Sequence, residues 1–296
     1  MKKILLVLFV SLVFAGANLE FSHGKSLRAA ENLWSEPKPV TTGITVNTVQ
    51  FLPDGKLLFA GKDGVFLINT DGTGFRTLFT YQGIRRANLR ADGKIMVLDN
   101  DFDIFVANAD GSGIKPVAAD PKIFEFAISF TPDGKNITYV TIDDANGISG
   151  IWKMAPDGAN KRNLLLRNDA LFRHPRQSPD GTRISYFTVG RGRSPTIWVM
   201  DKDGKNSIPL TKPAVDGPSR QASWSADGNQ LAFSSRRDGD FDIWIMDKNG
   251  GNKTRITNLL GDEGKPVWSP RGDSIAFICS DCRGKVGSDL YIVSRK

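Results

Sequence analysis

Histidine and cysteine are scarce in this sequence, whose 296 residues include two of each. His23 lies near the N-terminus and His174 lies in the middle of the chain. A metal centre built from several histidines is therefore excluded. The sequence also lacks the Gly-x-Ser-x-Gly elbow of α/β-hydrolases, which excludes a serine peptidase domain of that type. We expect no cofactor and no catalytic residue.

Long apolar runs are absent after the first residues. At the N-terminus, two lysines precede a run of 12 residues, Ile4–Ala15, that is apolar except for Ser11, and small residues follow it. This order predicts a signal peptide over residues 1–17. An uncleaved anchor is the alternative, but the run is shorter than the roughly 20 residues that span a bilayer. We therefore expect a periplasmic or secreted protein with a short leader, residues 18–36, and no later transmembrane segment.

The excess of one charge sign is also small. The formal net charge is +7, and removal of Lys2 and Lys3 with the signal peptide reduces it to +5. Proteins that bind nucleic acid need a dense basic patch and access to nucleic acid, and we expect neither in an exported chain of this charge. The mild positive excess instead favours an acidic partner.

One phrase recurs along the chain, as in "WSADGNQLAF" at 224 and "WSPRGDSIAF" at 268. Six copies are recognisable by a glycine at the first turn, and these glycines are separated by 38, 41, 47, 47 and 44 residues. They are Gly55, Gly93, Gly134, Gly181, Gly228 and Gly272. Asp-Gly pairs suit tight hairpin turns because glycine adopts positive φ without strain. Repeats of about 40–45 residues with four strand-like segments are typical of a propeller blade.

The repeats predict an all-β fold, a single six-bladed β-propeller of four-stranded blades over residues 37–296. The last copy ends after "DLYIV" and lacks an outer strand, whereas "PKPVTTG" at 37–43 resembles outer strands such as "SIPLTKP". We expect this N-terminal segment to supply the missing strand and to close the ring, which removes an open sheet edge.

Residues 219–257 resemble the repeat "WSPDGxxIAFxSxRDGxxDIWxMDxDGxxxxRLT" of TolB-type six-bladed propellers. The resemblance extends over the chain after residue 37 and is looser in the first two copies. It implies an exported scaffold that binds proteins in the cell envelope and uses no cofactor. TolB has an α/β domain before its propeller, whereas about 20 residues separate the predicted cleavage site from the repeats here. The resemblance therefore concerns the propeller only, without the TolB N-terminal domain.

A basic collar is predicted at one mouth of the central channel. It follows from the positions three and four residues before the site that Trp224 and Trp268 occupy, because equivalent positions of each repeat gather around the channel. The residues expected to bind a partner are Arg85, Arg86, Arg173, His174, Arg220 and Lys265 at these positions, together with the nearby Arg176 and Gln177. Arginine forks suit bidentate binding of carboxylates, so an acidic protein or peptide is the expected partner. The alternative is a set of solvated loop charges that keep this face soluble.

Cys279 and Cys282 form an isolated C-x-x-C pair. In an exported protein, two cysteines this close favour a disulfide across a tight turn. A zinc site would need a second pair, and a redox motif would need a βαβ setting.

The predicted function is therefore a non-catalytic scaffold for protein–protein interaction in the periplasm or cell envelope. One alternative is a propeller enzyme, a lyase or hydrolase acting on an anionic polysaccharide or small ester, which would need a metal or a carboxylate–histidine cluster. Another is a glycan-binding module, which would need exposed aromatic residues on the variable loops. Phe241 and Phe172 are the candidates there.

Overall fold

The structure is a computed structural model that describes residues 33–90, 93–98, 103–120, 122–190, 192–284 and 287–296. The predicted signal peptide, residues 1–17, and the leader up to residue 32 lie outside the described residues. Within the described ranges, no helix is long and apolar enough to cross a membrane.

The described chain consists mainly of short β-strands. Those of its first half are β1 (Lys38–Pro39), β2 (Val46–Phe51), β3 (Leu57–Gly61), β4 (Gly64–Ile68), β5 (Arg76–Thr80), β6 (Arg86–Leu89), β7 (Lys94–Leu98), β8 (Ile104–Asn108), β9 (Lys115–Ala118), β10 (Phe124–Phe130), β11 (Ile137–Asp143) and β12 (Ile148–Met154). Those of its second half are β13 (Arg162–Arg167), β14 (Leu171–Gln177), β15 (Arg183–Gly190), β16 (Arg193–Asp201), β17 (Ile208–Pro209), β18 (Ser219–Trp224), β19 (Gln230–Ser235), β20 (Asp242–Asp247), β21 (Thr254–Arg255), β22 (Asp262–Trp268), β23 (Ser274–Ser280) and β24 (Ser288–Ser294). A single-turn helix, α1 (Pro213–Asp216), and a 3-10 turn, Cys282–Gly284, lie between strands.

The described strands form six four-stranded sheets with antiparallel neighbours. Sheets 1 to 5 each pair four consecutive strands in chain order: β2–β5, β6–β9, β10–β13, β14–β17 and β18–β21. Sheet 6 has the order β1-β24-β23-β22. The prediction of an all-β propeller with four-stranded blades is confirmed.

Strand β1 completes sheet 6, as expected for residues 37–43. Lys38 of β1 lies opposite Ile292 of β24. Before this strand, the ring of Trp34 packs edge-on against Trp268, with the ring centres 5.8 Å apart. The two ends of the described chain therefore share one sheet.

Apolar side chains fill the space between successive sheets. Six buried clusters are present among the described residues, and each joins two neighbouring sheets. One of them joins sheet 6 to sheet 1, where Val267 and Ile278 pack with Val49 and Phe59. The contacts between sheets therefore return from the last sheet to the first.

The first turns of sheets 3 to 6 satisfy their own polar groups. In sheet 5, the Ser225 hydroxyl donates to Asp227 Oδ1 at 2.6 Å and accepts the Gln230 N–H at 2.9 Å. Gly228 has φ +69° and donates its N–H to the Ser225 carbonyl at 2.9 Å. Equivalent hydroxyl–carboxylate bonds join Thr131 to Asp133, Ser178 to Asp180 and Ser269 to Asp273. The repeated sequence phrase thus encodes a self-contained turn.

The second turn packs its glycine against the preceding sheet. A Cβ on Gly250, which has φ +84°, would lie 2.8 Å from the carbonyl oxygen of Leu210. Gly72 of sheet 1 has the same kind of contact with Val40, which follows β1, and its Cβ would lie 3.1 Å from that carbonyl oxygen. The contact recurs for Gly158 with Val117 and for Gly204 with Leu164. Neighbouring sheets approach so closely here that a side chain would separate them.

Candidate anion-binding site at the centre of the ring

The innermost strands of sheets 3 to 6 share a β-bulge near their first residues. In β10, for example, the pairing register shifts between Phe126 and Ser129, and β14, β18 and β22 shift at the equivalent place. One non-glycine residue with positive φ lies in each bulge: Ala127, His174, Gln221 and Lys265. Such a backbone costs a non-glycine residue about 1–3 kcal/mol. A bulge also redirects a side chain away from the regular alternation of a strand.

Three of these residues, His174, Gln221 and Lys265, line a small cavity where the innermost strands meet. Thr48 and Arg86 reach it from the equivalent positions of sheets 1 and 2. The other lining residues are Val49, Arg176, Ala222 and Pro266. About 20 Å³ is open to the centre of a water-sized sphere, which is room for one or two small atoms. One repeat position therefore contributes to the cavity from five sheets.

Arg86 and His174 lie side by side in this cavity. Arg86 Nη1 and Nη2 are 3.2 Å and 3.4 Å from Nδ1 and Nε2 of the imidazole, which stacks on Phe187 with ring centres 5.5 Å apart. Burial lowers the pKa of His174 well below its usual value, and the positive charges of Arg86 and Arg176 lower it further. The imidazole is therefore neutral at pH 7 and accepts a hydrogen bond from the Arg86 guanidinium.

Lys265 is fixed by hydrogen bonds from both its side chain and its backbone. Its Nζ donates to the Asn47 carbonyl at 2.5 Å, and its backbone N–H donates to Gln221 Oε1 at 2.9 Å. The preceding residue is Gly264, where a Cβ would lie 2.8 Å from Gln221 Oε1. Burial first, and then the charge of Arg86, lowers the pKa of Lys265 to about 8. The ammonium group is thus positioned in the cavity and is charged at pH 7.

The cations of this cavity lack a carboxylate partner. Among the described residues, Arg86, Arg176 and Lys265 form no ion pair. Burial, together with the charge of Arg176, lowers the pKa of Arg86 to about 9, and burial lowers the pKa of Arg176. Two like charges 4 Å apart repel by about 4 kcal/mol at an effective dielectric constant of about 20. The electrostatics of the cavity therefore favour an anion.

Three of the predicted collar residues, which we call the outer set, lie outside the cavity. Arg85 is exposed and lines a separate surface groove. The guanidinium carbon of Arg173 lies 4.8 Å from the ring centre of Phe126, and that of Arg220 lies 3.7 Å from the ring centre of Phe241. Burial lowers the pKa of Arg173 to about 10 and also lowers the pKa of Arg220. The inner set consists of Arg86, His174, Arg176 and Lys265.

Gln177 belongs to neither set, and its placement in the collar is corrected. Its Nε2 donates to the Gly181 carbonyl at 2.6 Å, inside the first turn of sheet 4. It is the last residue of β14, lies opposite Ile184 and directly follows the bulge between Arg173 and Arg176. Because strand β14 runs away from the channel mouth, three residues are enough to carry Gln177 into the turn.

Gln221 and Thr48 line the cavity although the prediction, which selected mainly charged side chains, left them out. Both occupy the repeat position that also holds Arg86 and Lys265. That shared position was the signal available in the sequence. The Gln221 side chain also fixes the Lys265 backbone, a role that its chemical type does not reveal.

Two buried carboxyl groups, Glu125 and Glu263, occupy equivalent positions near the start of β10 and β22. Glu263 accepts hydrogen bonds from the Thr257 hydroxyl and from the Leu259 N–H, the latter at 2.7 Å. Glu125 accepts one from the Asp120 N–H at 3.4 Å. Burial raises the pKa of both groups to about 7. These carboxyl groups therefore accept hydrogen bonds from the connecting segments that precede β10 and β22.

Among the described residues, no group of three or more His, Cys, Asp and Glu side chains could hold a metal ion. Cys279 and Cys282 are joined as a disulfide, with their Cα atoms 5.8 Å apart. Both lie in the buried cluster between sheets 5 and 6.

Residues 153–295 match the family model described as the TolB β-propeller domain. The chain is 28% identical over 231 residues to a TolB homologue of Chlorobium luteolum, which is 72% of this chain and 51% of the homologue. It is 34% identical over 130 residues to an uncharacterised peptidase of Bacillus subtilis, which is 40% of this chain and 20% of the peptidase. The matches thus span about half the length of the first relative and a fifth of the second.

Solved structures share the fold at low sequence identity. TolB from Acinetobacter baumannii superposes with a TM-score of 0.61 at 20% identity, over 86% of this chain and 64% of that chain. A gluconolactonase from Xanthomonas campestris gives 0.65 at 12% identity, over 88% and 89%. An oligogalacturonate lyase from Vibrio parahaemolyticus gives 0.58 at 12% identity, over 87% and 93%. The architecture therefore occurs both in TolB and in enzymes.

The family match falls on the second half of the chain, where the repeated phrase is most regular. The four-stranded sheets and the TolB structure extend the likeness to sheets 1 and 2. In the sequence of its second half and in its fold, the chain is therefore similar to TolB β-propellers.

Proposed function

We propose that this protein is an exported, non-catalytic scaffold that binds an acidic segment of another protein in the periplasm or cell envelope. Its scaffold is a single six-bladed ring over residues 37–296. The six sheets and the six clusters between them support this ring. The apolar run over Ile4–Ala15 supports export.

The observation that carries this proposal is the concentration of cations at one end of the innermost strands. Arg85, Arg173 and Arg220 of the outer set directly precede Arg86, His174 and Gln221, which line the cavity. Arg173 and Arg220 lie over aromatic rings, which leaves guanidinium edges available to carboxylates. Loops that a rigid scaffold holds in place commonly carry binding sites.

A crosslinked pull-down from native envelope extract tests this role. The full chain serves as bait beside a variant in which Arg85, Arg173 and Arg220 are changed to Glu. We expect the wild type to retain a specific protein that the variant loses, because charge reversal at the mouth repels acidic segments. A synthetic acidic segment of the captured protein should then bind the purified wild type, with an affinity that decreases as salt is added.

The matched control changes three exposed lysines on the opposite face, Lys56, Lys135 and Lys205, to Glu. This variant carries the same change in net charge and should retain the partner. If both variants lost the partner equally, the effect would depend on net charge alone. That result would contradict specific binding of the partner at the channel mouth. Capture of no protein by the wild type, together with turnover of a lactone or an anionic oligosaccharide, would favour the enzymatic alternative instead.

A further inference from the structure

We propose that the cavity lined by Arg86, Arg176 and Lys265 is a binding site for one carboxylate group. The site lies inside the channel and does not depend on the outer set. It therefore goes beyond the proposed protein-binding role and would remain if no protein partner existed. The carboxylate can come from a small free acid or from the end of a bound peptide.

The hydrogen-bonding capacity of the cavity is strongly unbalanced. Arg86 donates one hydrogen bond to the neutral imidazole of His174, and Lys265 uses one ammonium proton on the Asn47 carbonyl. The remaining protons of these groups are donors, and the Arg176 guanidinium makes no hydrogen bond to the described residues. Arginine and lysine offer no acceptor. A ligand in this cavity must therefore accept several hydrogen bonds and donate few.

The neutral polar side chains of the cavity are already engaged as acceptors. Thr48 Oγ1 accepts the Ala87 N–H at 3.4 Å, and Gln221 Oε1 accepts the Lys265 N–H at 2.9 Å. Little acceptor capacity thus remains for a cation or for the hydroxyl groups of a sugar. An anion matches both the charge and the donors of this lining.

The size of the cavity narrows the choice of anion. The open volume of about 20 Å³ accommodates one or two water-sized atoms, which corresponds to the two oxygens of a carboxylate. A sugar ring does not fit. Two guanidinium groups near one another also suit the planar, bidentate geometry of a carboxylate.

The backbone around the cavity supports a binding role. His174, Gln221 and Lys265 all have left-handed φ values between 50° and 61°, a conformation that non-glycine residues seldom adopt. Strained backbone of this kind clusters at functional sites. The same bulge repeated in neighbouring sheets brings donors from separate strands to one point.

Formate titration of the full-length protein by isothermal calorimetry, in chloride-free low-salt buffer at pH 7, tests the site. We expect saturable binding with one formate per chain and a melting temperature that increases with formate until saturation. Arg176→Met should weaken binding at least tenfold. Because this side chain makes no hydrogen bond to the described residues, its removal should leave the fold intact, which circular dichroism would verify.

Lys265→Met provides a second test from a different sheet and should weaken formate binding to a similar extent. Lys135→Met, an exposed lysine on the opposite face, is the control and should bind formate like the wild type. Unchanged formate affinity in both cavity variants, absence of saturable binding by the wild type, or equally tight binding of chloride and phosphate would each overturn the carboxylate site.

Two short peptides distinguish the source of the carboxylate. One ends in a free C-terminus, and the other has the same sequence with an amidated C-terminus. Tighter binding of the free form than of formate would place the site at the end of a peptide channel, whereas binding of formate alone would indicate a free acid. Failure of the envelope pull-down leaves this titration unaffected, since the charge-reversed variant retains Arg86, Arg176 and Lys265.

Discussion

The first turns and the central cavity differ in how their charged side chains are stabilised. At the first turns, Asp133, Asp180 and Asp227 accept hydrogen bonds from a nearby hydroxyl and a backbone N–H, which lower the pKa of each carboxyl group. At the central cavity, burial lowers the pKa of Arg86 and Lys265, and no carboxylate offsets it among the described residues. Both ends belong to the same repeat.

This difference distinguishes residues that stabilise the fold from residues that we propose to bind a ligand. A turn aspartate meets donors within three residues of itself, so its charge is stabilised wherever the repeat folds. A cavity cation meets neutral groups and other cations but forms no ion pair with a carboxylate among the described residues. Perturbed pKa values without a compensating partner are characteristic of binding sites. The following predictions test this contrast, starting with the largest expected effect.

Substitution at the second turn should affect stability without affecting the cavity. We expect Gly250→Ala to lower the free energy of unfolding by about 2 kcal/mol, because Ala must adopt positive φ and its Cβ approaches the Leu210 carbonyl. The neighbouring Gly251→Ala is the matched control, since Gly251 lacks a positive φ and a Cβ there meets only Asp247 Oδ2 at 3.6 Å. Urea denaturation measures the free energy of unfolding of both variants. Equal losses in the two variants would contradict the contact between sheets.

Removal of a cavity cation should instead increase the stability of the ligand-free protein. We expect Arg176→Met to raise the free energy of unfolding of the ligand-free protein by about 1 kcal/mol at low salt, because it relieves burial and repulsion by Arg86. Added salt or formate should diminish or reverse this gain. Arg76→Met, an exposed arginine on an outer strand, should change stability little. Destabilisation by Arg176→Met at low salt would show that the cations are already compensated.

The smallest effect should come from the buried carboxyl group of Glu125. Its folded-state pKa of about 7 exceeds the ordinary value of 4.5, so its contribution to stability is complete below pH 4.5 and is lost as pH rises to about 7. Glu125→Gln cannot ionise. Its melting temperature relative to the wild type should therefore increase between pH 4.5 and pH 7 and stay constant above. A difference in melting temperature that does not depend on pH would contradict the raised pKa of Glu125.

Prediction from sequence worked best where structure depends on local spacing. The Asp-Gly turns, the four-stranded unit and the pairing of residues 37–43 with the last sheet all follow from a repeat in which strands alternate with turns. The prediction for Gln177 was wrong because three residues of extended strand carry it from the channel mouth into a turn. Its distance from His174 along the chain is short, but His174 lies in the bulge and lines the cavity, whereas Gln177 ends the strand and forms its hydrogen bond within the turn.

The sequence by itself determined the repeat, the turn chemistry and the likeness to TolB propellers, because each of these is specified within about 45 residues of chain. The tertiary structure decided which cations share a cavity and which remain at its mouth. Arg86, His174 and Lys265 come from three different sheets and meet in one cavity, and bulges redirect the strands that carry His174 and Lys265. Burial and mutual repulsion, which give this site its preference for an anion, arise only when those sheets are brought together.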